Sequence, residues 1–286
     1  MAHIDKLFSS PLMEIDDSIC NSGKSGRGPN VCDGHDHIAL VRRGCFDYHL
    51  GPQTYFADAC TALVYDEDGE YRSSHPSDLG DDCTIFELEP ELMAEMFGVR
   101  RKHENVSFRI GPVAHAAHLA FYKLIKHSQD RLLNEEIALC LVQSVSQQSR
   151  APAEIDAVNT RRRHTVNAVK LLLNEEMSSN IGLAEISREV GCSPYHLMRL
   201  FRADTGQSLR GYRAQLRICA ALKRLGDGEQ DISALALDLG FASHSHFTDT
   251  FRSLLGVSPS DVRRKLGRED LDDRRRFMEA MMQAAA

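Results

Sequence analysis

The chain has 286 residues, 42% of them hydrophobic and 26% charged, with a formal net charge of −7. That length suits two domains, and the composition excludes a disordered, collagen-like or fibrous chain. No run approaches the roughly 20 apolar residues of a bilayer span, and the opening MAHIDKLFSS lacks the apolar stretch of a secretory signal, so a cytoplasmic protein with no membrane partner is expected.

Between residue 31 and about 90, short runs of β-branched and aromatic residues predict strands: HIALVRR, CFDYHL, TALVYD and TIFELE. Gly34, Gly44, Gly51-Pro52, Asp66 to Gly69 and Gly80-Asp81-Asp82 bound them as turns. Strands at this spacing predict a sandwich or a small barrel able to hold one ligand. The same stretch carries Cys32, His35 and His37, with His75 further on. Histidines at i and i+2 on a strand share a face, and a nearby thiolate suits zinc; the other reading is solvent-exposed loop residues. His35-x-His37 resembles the His-x-His of metal-dependent cupin barrels, a resemblance that implies a carboxylate a few residues later; none follows His37, and Arg42 and Arg43 would repel a cation, so no enzyme is expected. Arg42, Arg43, Arg72 and His75 are either surface groups or candidates to meet an anionic effector. The eight cysteines, lacking a secretory context, read as small buried hydrophobes or as local metal and redox candidates. Cys45, beside Arg42-Arg43, is the one with basic company that would favour a thiolate.

From Val113 to Ser149 there is no proline or glycine, and apolar residues recur at Leu119, Tyr122, Leu124 and Ile125, then Leu132, Leu133, Ile137, Leu141 and Val145. One or two amphipathic helices follow, serving either dimerisation or closure of the barrel. RAPAEIDAVNT, at 150–160, reads as a linker.

Charge then changes sign. Residues 161–268 hold 17 Lys and Arg against 11 Asp and Glu, whereas residues 1–160 hold 14 against 25. A basic segment inside an acidic chain fits a polyanionic partner. Within it one pattern occurs twice, in LAEISREVGCSPYHLMRLFRADTGQSL and in ALALDLGFASHSHFTDTFRSLLGVSP. Each copy has a short helix, a glycine (Gly191 or Gly240), a serine N-cap (Ser193 or Ser243) and a second helix running to Phe-Arg and a glycine. This is a helix-turn-helix, twice. Leu197, Leu200 and Phe201 form the inward stripe of the first second helix, and Phe247 and Phe251 that of the other. Arg210, Arg213, Arg217, Lys223 and Arg224 mark the helix that joins the units. The closing DDRRRFMEAMMQAAA forms a helix or frays.

These residues resemble the DNA-binding domain of the AraC/XylS transcription regulators. The match is carried by I-x-x-x-A-x-x-x-G-F, F-x-x-x-F and G-x-S-P-x-x-x-R between Ile232 and Arg263, and by the first unit. The resemblance implies seven helices over about 161–268, with a helix from about 211 to 225 holding the two units apart so that both enter successive major grooves. It implies Tyr195, Met198 and Arg199 as base contacts in the first unit, and His244, Ser245, Thr248 and Asp249 in the second, with Arg202 and Arg252 on phosphates or in surface ion pairs. HIALVRRGCFDYHLG and GEYRSSHP resemble the cupin-like regulatory domain of the same family. The expectation is therefore an α+β chain of two domains. A cupin-like β-barrel over 1–112 binds an effector, 113–150 supports a homodimer, 151–160 is a linker, 161–268 reads a double-stranded operator, and 269–286 is a tail. The implied function is an activator working with RNA polymerase. DNA binding needs no cofactor, and zinc or a small-molecule effector acts on the N-terminal domain. The alternatives are metal or redox sensing through Cys32, His35 and His37, or a cupin-type enzyme.

Overall fold

The computed structural model describes residues 3–21, 23–26, 36–51, 53–65, 71–97, 107–149, 160–267 and 270–285. The N-terminal half is an antiparallel sheet. Its strands are β1 (His3–Ser9), β2 (Met13–Cys20), β3 (His37–Leu50), β4 (Gln53–Asp58), β5 (Thr61–Tyr65), β6 (Tyr71–Ser74), β7 (Asp81–Leu88) and, after helix α1 (Pro90–Phe97), β8 (Ser107–Arg109). The order is β1-β2-β7-β3-β5-β8, with β4 and β6 both paired to the far end of β3. Among the described residues no pairing joins β1 to β8, so the pairings seen run as a path from β1 to β8.

Two expected strands prove to be one. HIALVRR and CFDYHL run on as the 14-residue β3. Gly44 marks a bend rather than a break: it sits at φ +75°, and a Cβ there would fall 1.9 Å from the Gly80 carbonyl oxygen. A shift of register between Val41 and Arg43 adds to the turn of the strand. Arg42, expected at the surface or facing an anion, is instead 2% exposed. It pairs with the buried Asp17 and stacks on the Tyr122 ring, 3.9 Å from its centroid. Burial of that cation is tolerated because Asp17 also accepts from Tyr122 Oη at 2.6 Å.

Eleven helices lie among the described residues. The expected 113–149 segment is two of them, α2 (Pro112–Ile125) and α3 (Arg131–Ser149). Helix α2 is buried along nearly its whole length, between the sheet and the C-terminal helices. The helical half continues as α4 (Thr160–Glu175), α5 (Leu183–Glu189), α6 (Pro194–Thr205), α7 (Leu209–Gly226), α8 (Ile232–Asp238), α9 (His244–Leu255) and α10 (Pro259–Gly267), the seven helices of the expectation. The tail does not fray: α11 (Leu271–Ala285) buries Phe277, Met278 and Met281 against α2.

The two halves share their core. Ile15, Ile38 and Phe86 of the sheet belong to one apolar cluster with Leu222 of α7 and Phe251 of α9. A second junction centres on Asp58, which is fully buried. Its Oδ1 accepts from the Cys60 backbone N–H at 2.9 Å, while Oδ2 accepts from Asn174 on α4 at 2.9 Å and from Tyr212 Oη on α7 at 2.7 Å. Gln215 of α7 adds a bond to the Ile110 carbonyl at 2.6 Å. No helix among the described residues is long and apolar enough to cross a membrane.

Candidate nucleic-acid interface

Helices α6 and α9 are built alike from local sequence. Ser193 Oγ accepts from the His196 N–H at 3.3 Å, and Ser243 Oγ from the His246 N–H at 3.1 Å, so each first turn is capped by its own serine. Pro194 occupies the first helical turn of α6, where a missing N–H is harmless. Gly206 and Gly256 end the two helices at φ +71° and +72°.

One face of each helix is core. Leu197 and Phe201 are fully buried, as are Phe247 and Phe251, whose rings meet edge-on 5.5 Å apart. The opposite faces stand in solvent. Tyr195 is 68% exposed and Met198 45%, large values for an aromatic and a thioether side chain, and Arg199 lies over the Tyr195 ring at 5.8 Å. Arg202, His244, Ser245, Asp249 and Arg252 are exposed, and Thr248 is half-buried. His244 is steadied between Ser233 Oγ, 3.3 Å from Nδ1, and Thr248 Oγ1, 3.4 Å from Nε2. The surface therefore combines a planar cation, an aromatic ring and an apolar tip on α6 with short polar groups on α9. That mixture suits base edges in a major groove.

The two units are held to each other by a residue whose role the sequence did not disclose. Arg217, counted with the basic residues of α7, is 6% exposed. Its guanidinium donates to the Met177 carbonyl at 2.8 Å, the Ser179 carbonyl at 2.7 Å and the Gly240 carbonyl at 2.8 Å. Burial, with Arg213 nearby, brings its pKa down to about 10, which leaves it charged at neutral pH. Gly240 sits at φ +77°, and a Cβ there would fall 2.2 Å from the Ser178 oxygen and 2.6 Å from Arg217 Nη2. Its place in the G-F motif thus has two causes, the positive φ and the approach of Arg217. The other basic residues of α7 are also largely engaged. Arg213 donates to the Ile181 carbonyl, Lys223 pairs with Asp227, and Arg224 with Glu229 and Asp238, while Arg210 is exposed. The helix is a scaffold more than a basic face.

The helix-turn-helix domain family matches residues 186–265, which run from α5 into α10. The regulatory protein SoxS of Escherichia coli is 32% identical over 94 residues, a third of this chain and 88% of that relative. This chain belongs to the AraC/XylS family of transcription regulators. Another relative, the HTH-type transcriptional activator AarP of Providencia stuartii, is 28% identical over 109 residues, 36% of this chain and 81% of its own length. A crystal structure of ToxT from Vibrio cholerae covers 89% of this chain and 98% of its own at 14% identity, with a TM-score of 0.36, too slight a likeness to argue from. The AraC/XylS assignment makes this a DNA-binding transcription regulator, and it rests on the double helix-turn-helix half of the chain.

Of the other expected site, His37 and His75 are the two residues that the structure describes. Cys32 and His35 lie outside the described residues. His37 opens β3 opposite Glu87, with Nε2 3.6 Å from its carboxylate. His75 lies by Asp81 at the other end of β7, six residues and about 20 Å away. One ion cannot join the two histidines. Cys45 is no reactive thiol either: burial pushes it up to about 12 despite the neighbouring arginines, which turn away to Asp17 and Asp82.

Proposed function

We propose that this AraC/XylS regulator is an effector-controlled activator that reads a double-stranded operator through α6 and α9. The observation that carries the reading is the pair of serine-capped, glycine-ended helices whose outer faces are free of packing while Arg217 fixes one unit against the other. Arg199 pairs bidentately with a guanine, Met198 meets a thymine methyl, and Tyr195 packs on the adjoining base edge. His244, Ser245 and Thr248 read the second groove more weakly. Asp249 there repels phosphates unless it accepts from a cytosine amine, so the first unit is the anchor. Arg202 and Arg252 hold phosphates.

The activator sense follows AarP, whose name states it, and implies contact with RNA polymerase. Residues 1–112 take a small-molecule effector, 151–160 link them to the reader at 161–268, and within the 269–286 segment α11 serves as packing for α2 rather than as a free tail. Because α2 is covered, a homodimer formed through 113–150 uses the outward side of α3, where Leu132 is 73% exposed. An effector acts only through different affinities for two arrangements of the halves, and Asp58 and the shared core give it the means.

The test is anisotropy of the full chain on a duplex selected from a randomised pool. Arg199→Ala is expected to cost about 1–3 kcal/mol and to relax preference at one base pair. Wild-type affinity and preference in that variant refute the role.

A further inference from the structure

We propose that Cys20, His75 and Asp81 form a zinc(II) site where the ends of the paired strands β2 and β7 meet, with water as fourth ligand. Their donor atoms, the thiol sulfur, an imidazole nitrogen and a carboxylate oxygen, all lie within 4.8 Å of one another. Tetrahedral zinc with bonds of about 2.0–2.3 Å sets its donors roughly 3.3–3.7 Å apart, so small side-chain shifts bring the three onto one ion. A mixed sulfur, nitrogen and oxygen set is of the borderline kind that zinc accepts and that magnesium and calcium do not.

Backbone pairing brings the three together. Cys20, the last residue of β2, is the register partner of Asp81, the first of β7, and partners in that position share a face of the sheet. Gly80 takes φ +60°, and a Cβ there would fall 2.3 Å from the Cys20 carbonyl oxygen, so the chain enters β7 pressed against the end of β2. His75 is fixed by a bridge to Ser25, the Ser25 N–H donating to its carbonyl at 2.9 Å.

The surroundings complete the case. His75 Nε2 is 2.7 Å from Asp81 Oδ1, while Nδ1 is 3.2 Å from Ser25 Oγ. A ligating histidine is normally oriented by a hydrogen bond on its other nitrogen, which Ser25 supplies here. The second Asp81 oxygen accepts from the Cys83 thiol at 3.3 Å. Cys20 and Asp81 are buried, so an ion would be shielded on the sheet side. The arginines that argued against a cation in this region are spent: Arg42 on Asp17, and Arg43 on Asp82, the Leu79 carbonyl and Asn21. The site is independent of the DNA-reading face, and its failure would leave that reading untouched.

The experiment uses the full chain, purified under reducing conditions and stripped with a chelator, titrated with Co2+ and then Zn2+. The expected result is one Co2+ per chain with a thiolate-to-cobalt charge-transfer absorption, displaced by one equivalent of Zn2+. Cys20→Ser abolishes that absorption, and His75→Gln and Asp81→Asn each weaken Zn2+ at least tenfold against a chromogenic competitor. Should those variants misfold, Ser25→Ala, at an exposed position, keeps the far-ultraviolet spectrum and weakens Zn2+ several-fold. Absence of the absorption in the wild type, its survival in Cys20→Ser, or unchanged Zn2+ affinity in Ser25→Ala overturns the assignment.

Discussion

Replacing Arg217 with methionine keeps most of the apolar stem and removes the guanidinium. Three carbonyls then lose their donor: Met177 and Ser179 before the first unit, and Gly240 in the turn of the second. A buried acceptor left unsatisfied costs about 1–3 kcal/mol. Residues 177, 179 and 240 are half-buried, so water recovers part of the loss, and the sum falls at about 3–5 kcal/mol. The packing of Arg217 on the Phe241 ring, 5.6 Å from its centroid, goes as well. Urea unfolding of the full chain measures the stability. Operator affinity, measured where the variant is still folded, should fall more than for Arg202→Ala, because the spacing of α6 and α9 loosens rather than one phosphate contact. A loss below about 1 kcal/mol with wild-type operator affinity would show that Arg217 does not rivet the units, since three lost charge-assisted bonds cannot be so small.

Acid should destabilise the N-terminal half. His115 and His118 are fully buried on α2, and burial lowers His115 to about 4, with Arg42 adding to the effect, while burial and then His115 lower His118 well below its ordinary value. Each folded pKa lies below the unfolded one, so the unfolded chain binds more protons and stability falls as pH drops from about 6.5 toward 4. His115 alone accounts for about 3 kcal/mol across that window. His115→Leu should flatten the slope of urea stability against pH, and a wild-type slope that is flat from pH 7 to 5 contradicts this. Tyr212→Phe removes one donor from Asp58 and should cost about 1–2 kcal/mol. It should speed hydrogen exchange in both β4 and α4, whereas a change confined to α7 would mean that Asp58 does not join the halves.

The reader was legible because its signals are local. Ser193, Pro194, Gly206, Ser243 and Gly256 each act on the turn in which they stand, so their spacing alone fixes two helices and their ends. The inward stripe of Leu197 and Phe201 follows from helical period in the same way. Arg217 was not legible. Sequence assigns it a charge but not a direction, and only the fold brings three carbonyls from residues 177–179 and 240 around it. Strands β1 and β2 were missed because HIDKLFS and MEIDDSIC are polar. Asp17 is buried there because Arg42, 25 residues on, and Lys126 and Tyr122, more than 100 residues on, pair with its carboxylate. Gly44 was read as a turn because its positive φ is the same in a turn and in a bent strand. His75 was singled out, but its neighbours Cys20 and Asp81 come from register between β2 and β7, which no spacing in the chain displays.

Hydroxyl-radical footprinting of the full chain on its selected operator tests the central claim most directly. Two protected segments per chain, on one face of the duplex and about 10 base pairs apart, are predicted from two helices in successive major grooves. In Arg199→Ala both protected segments should persist at saturating protein, but at a concentration about ten- to a hundredfold higher, the cost of one lost base contact. A single protected segment per chain, or protection with no fixed register, would contradict the account.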